Sequence, residues 1–215
     1  MSRNRFENLE PERQERLFES ATEEFADHGY DAASLNRILE KAGMSKSSLY
    51  YYFDDKADLF TTMFERAVLQ VLRQVGGFDL DQLTAETYWD EIDAFYRRST
   101  SVISRNDWYL RLARTLFRLH DSNRKLPGID RLFEMSEDLI DKVLRRGQEL
   151  GAVRTDLPHS LLVDAAMGLG VALDRWSVEN WGVLGEAERL AVVTVQMNML
   201  RRLFGKDAEE NLPLT

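Results

Sequence analysis

The chain of 215 residues is 44% hydrophobic and 30% charged, contains no cysteine and carries a net charge of −9. Such a chain is globular and long enough to bury a core in one domain or two; it excludes disulfides and thiolate metal sites and suits a reducing cytosol. No apolar run approaches the roughly 18 residues of a membrane span and the N-terminus has no signal-peptide core, so a cytoplasmic protein without membrane contact is expected.

Only four prolines and many segments of helical period make the fold class all-α. The first helix starts at Pro11, a favoured first-turn residue. Leu17, Phe18, Ala21 and Phe25 form its apolar stripe and Gly29 ends it. Ser34 caps a second helix in which Leu35, Ile38, Leu39 and Ala42 share a face. Gly43 stops that helix because it accepts left-handed backbone. After Met44, Ser45 starts a third helix with Leu49 and Phe53 turned inward; Lys46, Ser47, Ser48, Tyr50, Tyr51 and Tyr52 cover the rest. Helices this short are not stable alone and must dock on something larger. Their spacing is that of a helix-turn-helix, whose second helix enters a DNA major groove.

Asp54 or Asp55 then caps a long helix reaching Gly76, with Leu59, Phe60, Met63, Ala67, Val71 and Val75 as its stripe. Further helices are expected near 83–104, 106–122, 127–150, 158–180 and 186–204, followed by a polar, frayed tail after Gly205. The segments 161–173 and 190–200 are apolar nearly all round and must be covered on every side. A two-fold dimer fits, with Ala165, Gly168, Val171, Ala172, Val193, Met197 and Leu200 at the contact; the alternative is a central core helix in a monomer.

Net charge opposes DNA binding at first sight, since such proteins need a basic footprint. Residues 1–77 hold 10 Lys and Arg against 14 Asp and Glu. From Ser34 to Tyr52, however, Arg37, Lys41 and Lys46 face only Glu40. The acid gathers in the first helix (Glu12, Glu15, Glu19, Glu23, Glu24), which is expected to point away from a duplex. A small, focused contact surface follows, rather than loose affinity for polyanions.

The string FADHGYDAASLNRILEKAGMSKSSLYYYFDDKADLF (25–60) resembles the TetR family of bacterial transcription regulators. Its marks are the Phe25-to-Gly29 helix end, Ala42-Gly43 before the turn, Leu49-Tyr50 in the recognition helix, then Phe53 and Lys56. GQELGAVRTDLP (147–158) resembles the family's link into its dimerisation helices. Two departures are Ile38-Leu39-Glu40 in place of a commoner Ile-Ala pair and three consecutive tyrosines in the recognition helix, so the operator cannot be borrowed from relatives. The resemblance implies a DNA-binding head at 1–56 with a coupling helix at 55–77, and a helical ligand-binding and dimerisation body at 78–215. It also implies a repressor that a small molecule releases from a palindromic operator on double-stranded DNA.

The resemblance further implies that Lys46, Ser48, Tyr50 and Tyr52 face DNA, and that Lys56 holds a phosphate. Chemistry agrees: lysine donates to guanine edges or phosphates, and hydroxyls serve bases or backbone. Ser34 and Ser45 at helix starts, Tyr51, and Asn36 and Arg37 on the first turn of the second helix complete the candidate contacts. In the body, Phe95, Trp108, Tyr109, Phe117, Phe133 and Trp176 are candidates to line an apolar effector pocket, although such residues are more often simple core.

No catalytic or metal site is expected, and no cofactor. His28, His120 and His159 are far apart, and no pair has helical ligand spacing. A helix-turn-helix protein without small-molecule control and, with less support, a helical enzyme are the alternatives.

Overall fold

The computed structural model describes residues 6, 8–77, 79–105, 107–121 and 127–206. The expected frayed tail beyond Lys206 lies outside the described residues. Those described are helical, with one isolated antiparallel bridge, Val153 to Gly205. They pack as two compact units, one of 1–71 with 103–132 and the other of 72–102 with 133–215. These packing units differ from the expected head and body, because residues 103–132 belong with the N-terminal segment.

In the first unit α1 spans Pro11–Ala32, α2 Leu35–Ala42 and α3 Lys46–Tyr52. The helix α4, Lys56–Val75, begins here, and α6, Asp107–Asp121, lies against α1 as α2 does. Leu17, Phe18, Ala21 and Phe25 are buried along α1 as their spacing requires. The ring of Phe60 meets that of Phe25 edge-on at 4.8 Å. Gly29, at φ 71°, breaks the helical path, and Tyr30–Ala32 form a further turn instead of loop. Helix α6 is held by Thr115 Oγ1, which donates to the Phe25 carbonyl at 3.3 Å, and by an Arg111–Asp27 ion pair at 2.5 Å.

The second unit holds a 3-10 turn, Leu80–Gln82, and most of α5, Tyr88–Ser104, and α7, Pro127–Glu149. It also holds α8, His159–Asn180, and α9, Glu186–Phe204. Leu83, Tyr88, Leu144, Ala152, Val153, Leu162, Val163 and Phe204 form its core. The α7–α8 connection is pinned to the end of α9: Arg154 N donates to the Phe204 carbonyl at 2.9 Å and Lys206 N to the Ala152 carbonyl at 3.2 Å. Trp89 Nε1 donates to the same Ala152 carbonyl at 3.1 Å. A segment expected only to join helices therefore carries structure of its own. Among the described residues no helix is long and apolar enough to cross a membrane.

Candidate nucleic-acid interface

The head is built from helix ends closed by short polar side chains. Ser34 Oγ accepts the Arg37 amide at 3.4 Å, at the long limit of a hydrogen bond, and Ser45 Oγ accepts the Ser48 amide at 3.2 Å. Between the two helices Gly43 sits at φ 65°, and Met44 N closes the turn on the Leu39 carbonyl at 2.9 Å. Asp55 Oδ1 accepts the Asp58 amide at 2.8 Å while Asp58 Oδ2 accepts the Asp54 amide at 3.1 Å, a reciprocal cap that starts α4. The second of the two expected caps is the one used. Ile38, Leu39, Ala42, Leu49 and Phe53 are all buried, so α2 and α3 dock by the apolar residues their spacing singled out.

What α3 leaves outside is a polar and aromatic surface. Tyr50 is 62% exposed and Tyr51 57%, while Tyr52 is half-buried with its ring edge-on to Tyr51 at 5.1 Å. Lys46 and Ser47 are exposed, and Ser48 is half-buried with its hydroxyl 2.8 Å from Ser45 Oγ. Lys46 makes no ion pair among the described residues and stays available to an anion. Ser34 and Ser45 spend their hydroxyls on helix caps, and Asn36, on the first turn of α2, is exposed.

Two expected DNA contacts are engaged elsewhere. Arg37 donates from Nε to Glu24 Oε1 at 2.9 Å and Oε2 at 3.0 Å, and from Nη2 to Oε1 at 2.5 Å. Lys56 Nζ donates to the carbonyls of Ala33 at 2.7 Å and Asp31 at 3.0 Å, 5.1 Å from the Tyr30 ring centre. It thereby satisfies the carbonyls that the end of α1 leaves open. Glu24 in turn is not part of a solvated acidic face: its side chain is 1% exposed. Burial alone would push its carboxyl up, but the Arg37 guanidinium and the Ser34 amide outweigh that and hold it below the ordinary range. The signal was available, since Glu24 lies three residues after Ala21 and seven after Leu17, on the buried stripe.

In the body the six aromatic candidates fall into different units. Trp108, Tyr109 and Phe117 lie on α6 in the first unit, and Phe95, Phe133 and Trp176 in the second. Tyr109 is buried, and Trp108 packs on it at 3.6 Å between ring centres and edge-on to Phe18 at 6.1 Å. These two are core of the first unit. Trp176 is 45% exposed and follows Leu161, Ala165, Gly168 and Ala172 at helical spacing along the outside of α8.

On α9 the expected contact face is turned. Val193 and Met197 are buried in their own unit and Leu200 is half-buried, whereas Val195, Met199 and Leu203 are exposed. A helix apolar on all sides gives no periodicity from which its inward face can be read. Ala165, Gly168 and Ala172 are exposed and Val171 half-buried. One polar link crosses the interior of this unit: Tyr96 donates to Gln196 Oε1 at 2.9 Å, and Gln196 Nε2 donates to Ser177 Oγ at 2.9 Å.

A capped helix-turn-helix that buries its apolar residues and presents Lys46, Tyr50 and Tyr51 outward defines a DNA-binding protein with a helical body. Residues 17–63 match the family model described as "Bacterial regulatory proteins, tetR family". The HTH-type transcriptional repressor AcnR of Corynebacterium diphtheriae is 25% identical over 151 residues, 70% of this chain and 73% of that one. The HTH-type transcriptional activator FasR of Mycolicibacterium smegmatis is 40% identical over 57 residues, 26% of each chain. The fold resembles that of FadR from Bacillus subtilis, solved in complex with stearoyl-CoA, at a TM-score of 0.71 and 19% identity, covering 86% of this chain and 96% of that one. This chain is a DNA-binding transcription regulator whose residues 17–63 carry the DNA-binding head of the TetR family.

Proposed function

We propose that the protein is a cytoplasmic homodimer that represses transcription from a near-palindromic operator and is released by a small-molecule effector. The supporting observation is the surface of α3, where Lys46, Tyr50 and Tyr51 stand exposed on a helix whose other side is buried. Residues 1–56 act as the head, α4 as the coupling helix and residues 78–215 as the body. Lys46 donates to a base edge or phosphate, and the tyrosines supply hydroxyls to the backbone or ring faces to thymine methyls.

Dimerisation uses the outer stripe of α8, from Leu161 through Gly168 to Trp176, with Val195, Met199 and Leu203 of α9. A two-fold axis buries the same patch on both copies and sets the recognition helices about 34–36 Å apart, one turn of DNA. Repression is favoured by the repressor among the relatives that aligns over most of its length. The activator aligns over 57 residues, about a quarter of each chain, and so short a match does not speak for the direction of control.

An effector releases DNA only through unequal affinity for the competent and incompetent states. Swinging nearly the whole population takes a preference of roughly 10⁴-fold. An acyl-CoA is the class to test first, because the FadR structure holds stearoyl-CoA.

The experiment is selection of a duplex from a random pool by the full-length protein. Binding to that duplex is then titrated with and without acyl-CoAs, and mass is followed by light scattering. A dimer that binds a two-fold sequence and loses it to one acyl-CoA meets the proposal. A monomer at micromolar concentration, or no selected sequence, overturns it. A selected sequence that no metabolite releases supports the reading without effector control.

A further inference from the structure

Glu24 is a buried acid on a helix whose other acids lie at the surface or are half-buried. Ion pairs at the surface contribute little, but a carboxylate taken out of water must be fully satisfied to persist. Its partners are specific in kind. Oε1 accepts the Ser34 amide at 2.8 Å together with two donors of Arg37, and Oε2 accepts Arg37 Nε and lies 3.7 Å from His28 Nε2. Arg37 Nη2 also donates to the Ala32 carbonyl at 3.2 Å. One carboxylate on α1 thus binds the residue that caps α2 and the guanidinium on the first turn of α2.

The geometry carries onward to DNA. Helix α2 has only eight residues, and its far end passes into α3 through the tight turn at Gly43 and Met44, closed by main-chain bonds to Glu40 and Leu39. A turn so fixed passes any tilt of α2 to α3 with little loss. The start of α2 therefore sets how Lys46 and Tyr50 are presented. Base readout tolerates little misplacement, because hydrogen bonds weaken steeply off their preferred angle.

We propose that Glu24 is a positioning residue for operator recognition, fixing the start of α2 through the Ser34 amide and the Arg37 guanidinium, and that Arg37 works inward on Glu24 and not on a phosphate. This rests on the reading of α3 as the DNA-contacting helix.

The test compares Glu24→Gln, Arg37→Gln, Arg37→Lys and Glu24→Gln/Arg37→Gln with wild type. Each is titrated, by fluorescence anisotropy over a series of salt concentrations, against a duplex selected by the wild type and against a scrambled duplex of equal length. Far-UV circular dichroism gives the folded fraction. Lys46→Ala is the control for the surface, and if it changes neither duplex's binding, the reading of α3 fails independently of Glu24.

The expected result is a loss of about tenfold or more in preference for the selected duplex over the scrambled one, with an unchanged salt slope, in each single variant. The double variant loses no more than the worse single one, because both remove the same link. Arg37→Lys behaves like Arg37→Gln, since an ammonium cannot reproduce the two-pronged contact with Glu24.

A phosphate contact gives a different pattern. Arg37→Lys then retains binding, Arg37→Gln lowers the salt slope by about 0.9 per phosphate lost, and Glu24→Gln leaves the preference intact. Any of these overturns the proposal. So does a variant that melts earlier yet keeps the full preference when folded, because the pair would then serve stability alone. Should a single variant fail to fold, Glu24→Gln/Arg37→Gln still decides, because it removes the link without leaving either charge unpaired: a full preference in that variant overturns the proposal.

Discussion

Replacing Gly147 with alanine ought to stabilise α7 if only local propensity mattered, by about 1 kcal/mol for a helix interior. The structure reverses the sign. A Cβ at position 147 would lie 2.6 Å from Cζ and 2.7 Å from Oη of Tyr88, and closer still to Cγ2 of Val153. Carbon contacts settle near 3.5–4.0 Å, so the ring must retreat by about 1 Å. It has little room: Tyr88 and Val153 are each 1% exposed, and the Tyr88 hydroxyl donates to the Val143 carbonyl at 3.1 Å.

Overpacking of this kind costs about 1–3 kcal/mol, and a broken hydroxyl bond adds about 1 kcal/mol. After the propensity gain, Gly147→Ala should destabilise by about 2 kcal/mol. In a chain of this size that is a fall in melting temperature of about 4–8 °C. Thermal unfolding by far-UV circular dichroism checks it. Tyr88→Phe is made alone and with Gly147→Ala; the pair should cost less than the sum, because removing Oη removes one of the clashes. Leu162, Val163 and Phe204 share this core, so displacement of Tyr88 reaches the two helices proposed to dimerise. A Gly147→Ala protein that melts at or above wild type would mean that the Tyr88 ring and Val153 have room to give way.

Lys46→Ala should weaken binding to a selected operator by about 1–3 kcal/mol if the lysine reads a base edge, with preference relaxed at that base; unchanged electrophoretic shifts with intact folding would mean the surface is misplaced. Lys56→Met should lower the stability of the head by about 1–2 kcal/mol, since it removes two charge-assisted bonds to carbonyls, while leaving the salt slope of DNA binding alone; an unchanged melt with a reduced slope would restore its assignment to phosphate. Gly168→Arg should give a monomer or aggregate that no longer binds operator, although among the described residues nothing beyond its own stretch of helix lies within 4 Å of the added Cβ; dimers that still bind would move the interface elsewhere. The Asp141 carboxyl, held down at about 2 first by Arg145 and then by His159, lies below its ordinary 3.8. Its contribution to stability is therefore complete above about pH 4 and disappears as pH falls from there towards 2. Carbon-detected magnetic resonance placing its midpoint at or above 3.8 would contradict that contact.

The all-helical class, the order of the helices and most of their ends were legible in the residues alone. Those features are set locally, by Ser34 and Ser45 as caps, Gly43 and Gly76 at positive φ, and stripes such as Leu17, Phe18, Ala21 and Phe25. The string from Phe25 to Phe60 also carried the class of function, because a DNA-reading helix needs its partner and its turn at fixed spacing. The partners of the charged residues, by contrast, emerge only once distant segments pack together. Arg37, Lys56 and Glu24 looked like surface groups, but Arg37 and Glu24 pair across 13 positions, Glu24 takes the Ser34 amide 10 positions on, and Lys56 reaches carbonyls 23 and 25 positions back, beyond any local pattern. The structure also decided which side of α9 faces inward and that α6 packs on α1. A helix apolar all round carries no phase, and helix-to-helix docking depends on shapes brought together from distant segments.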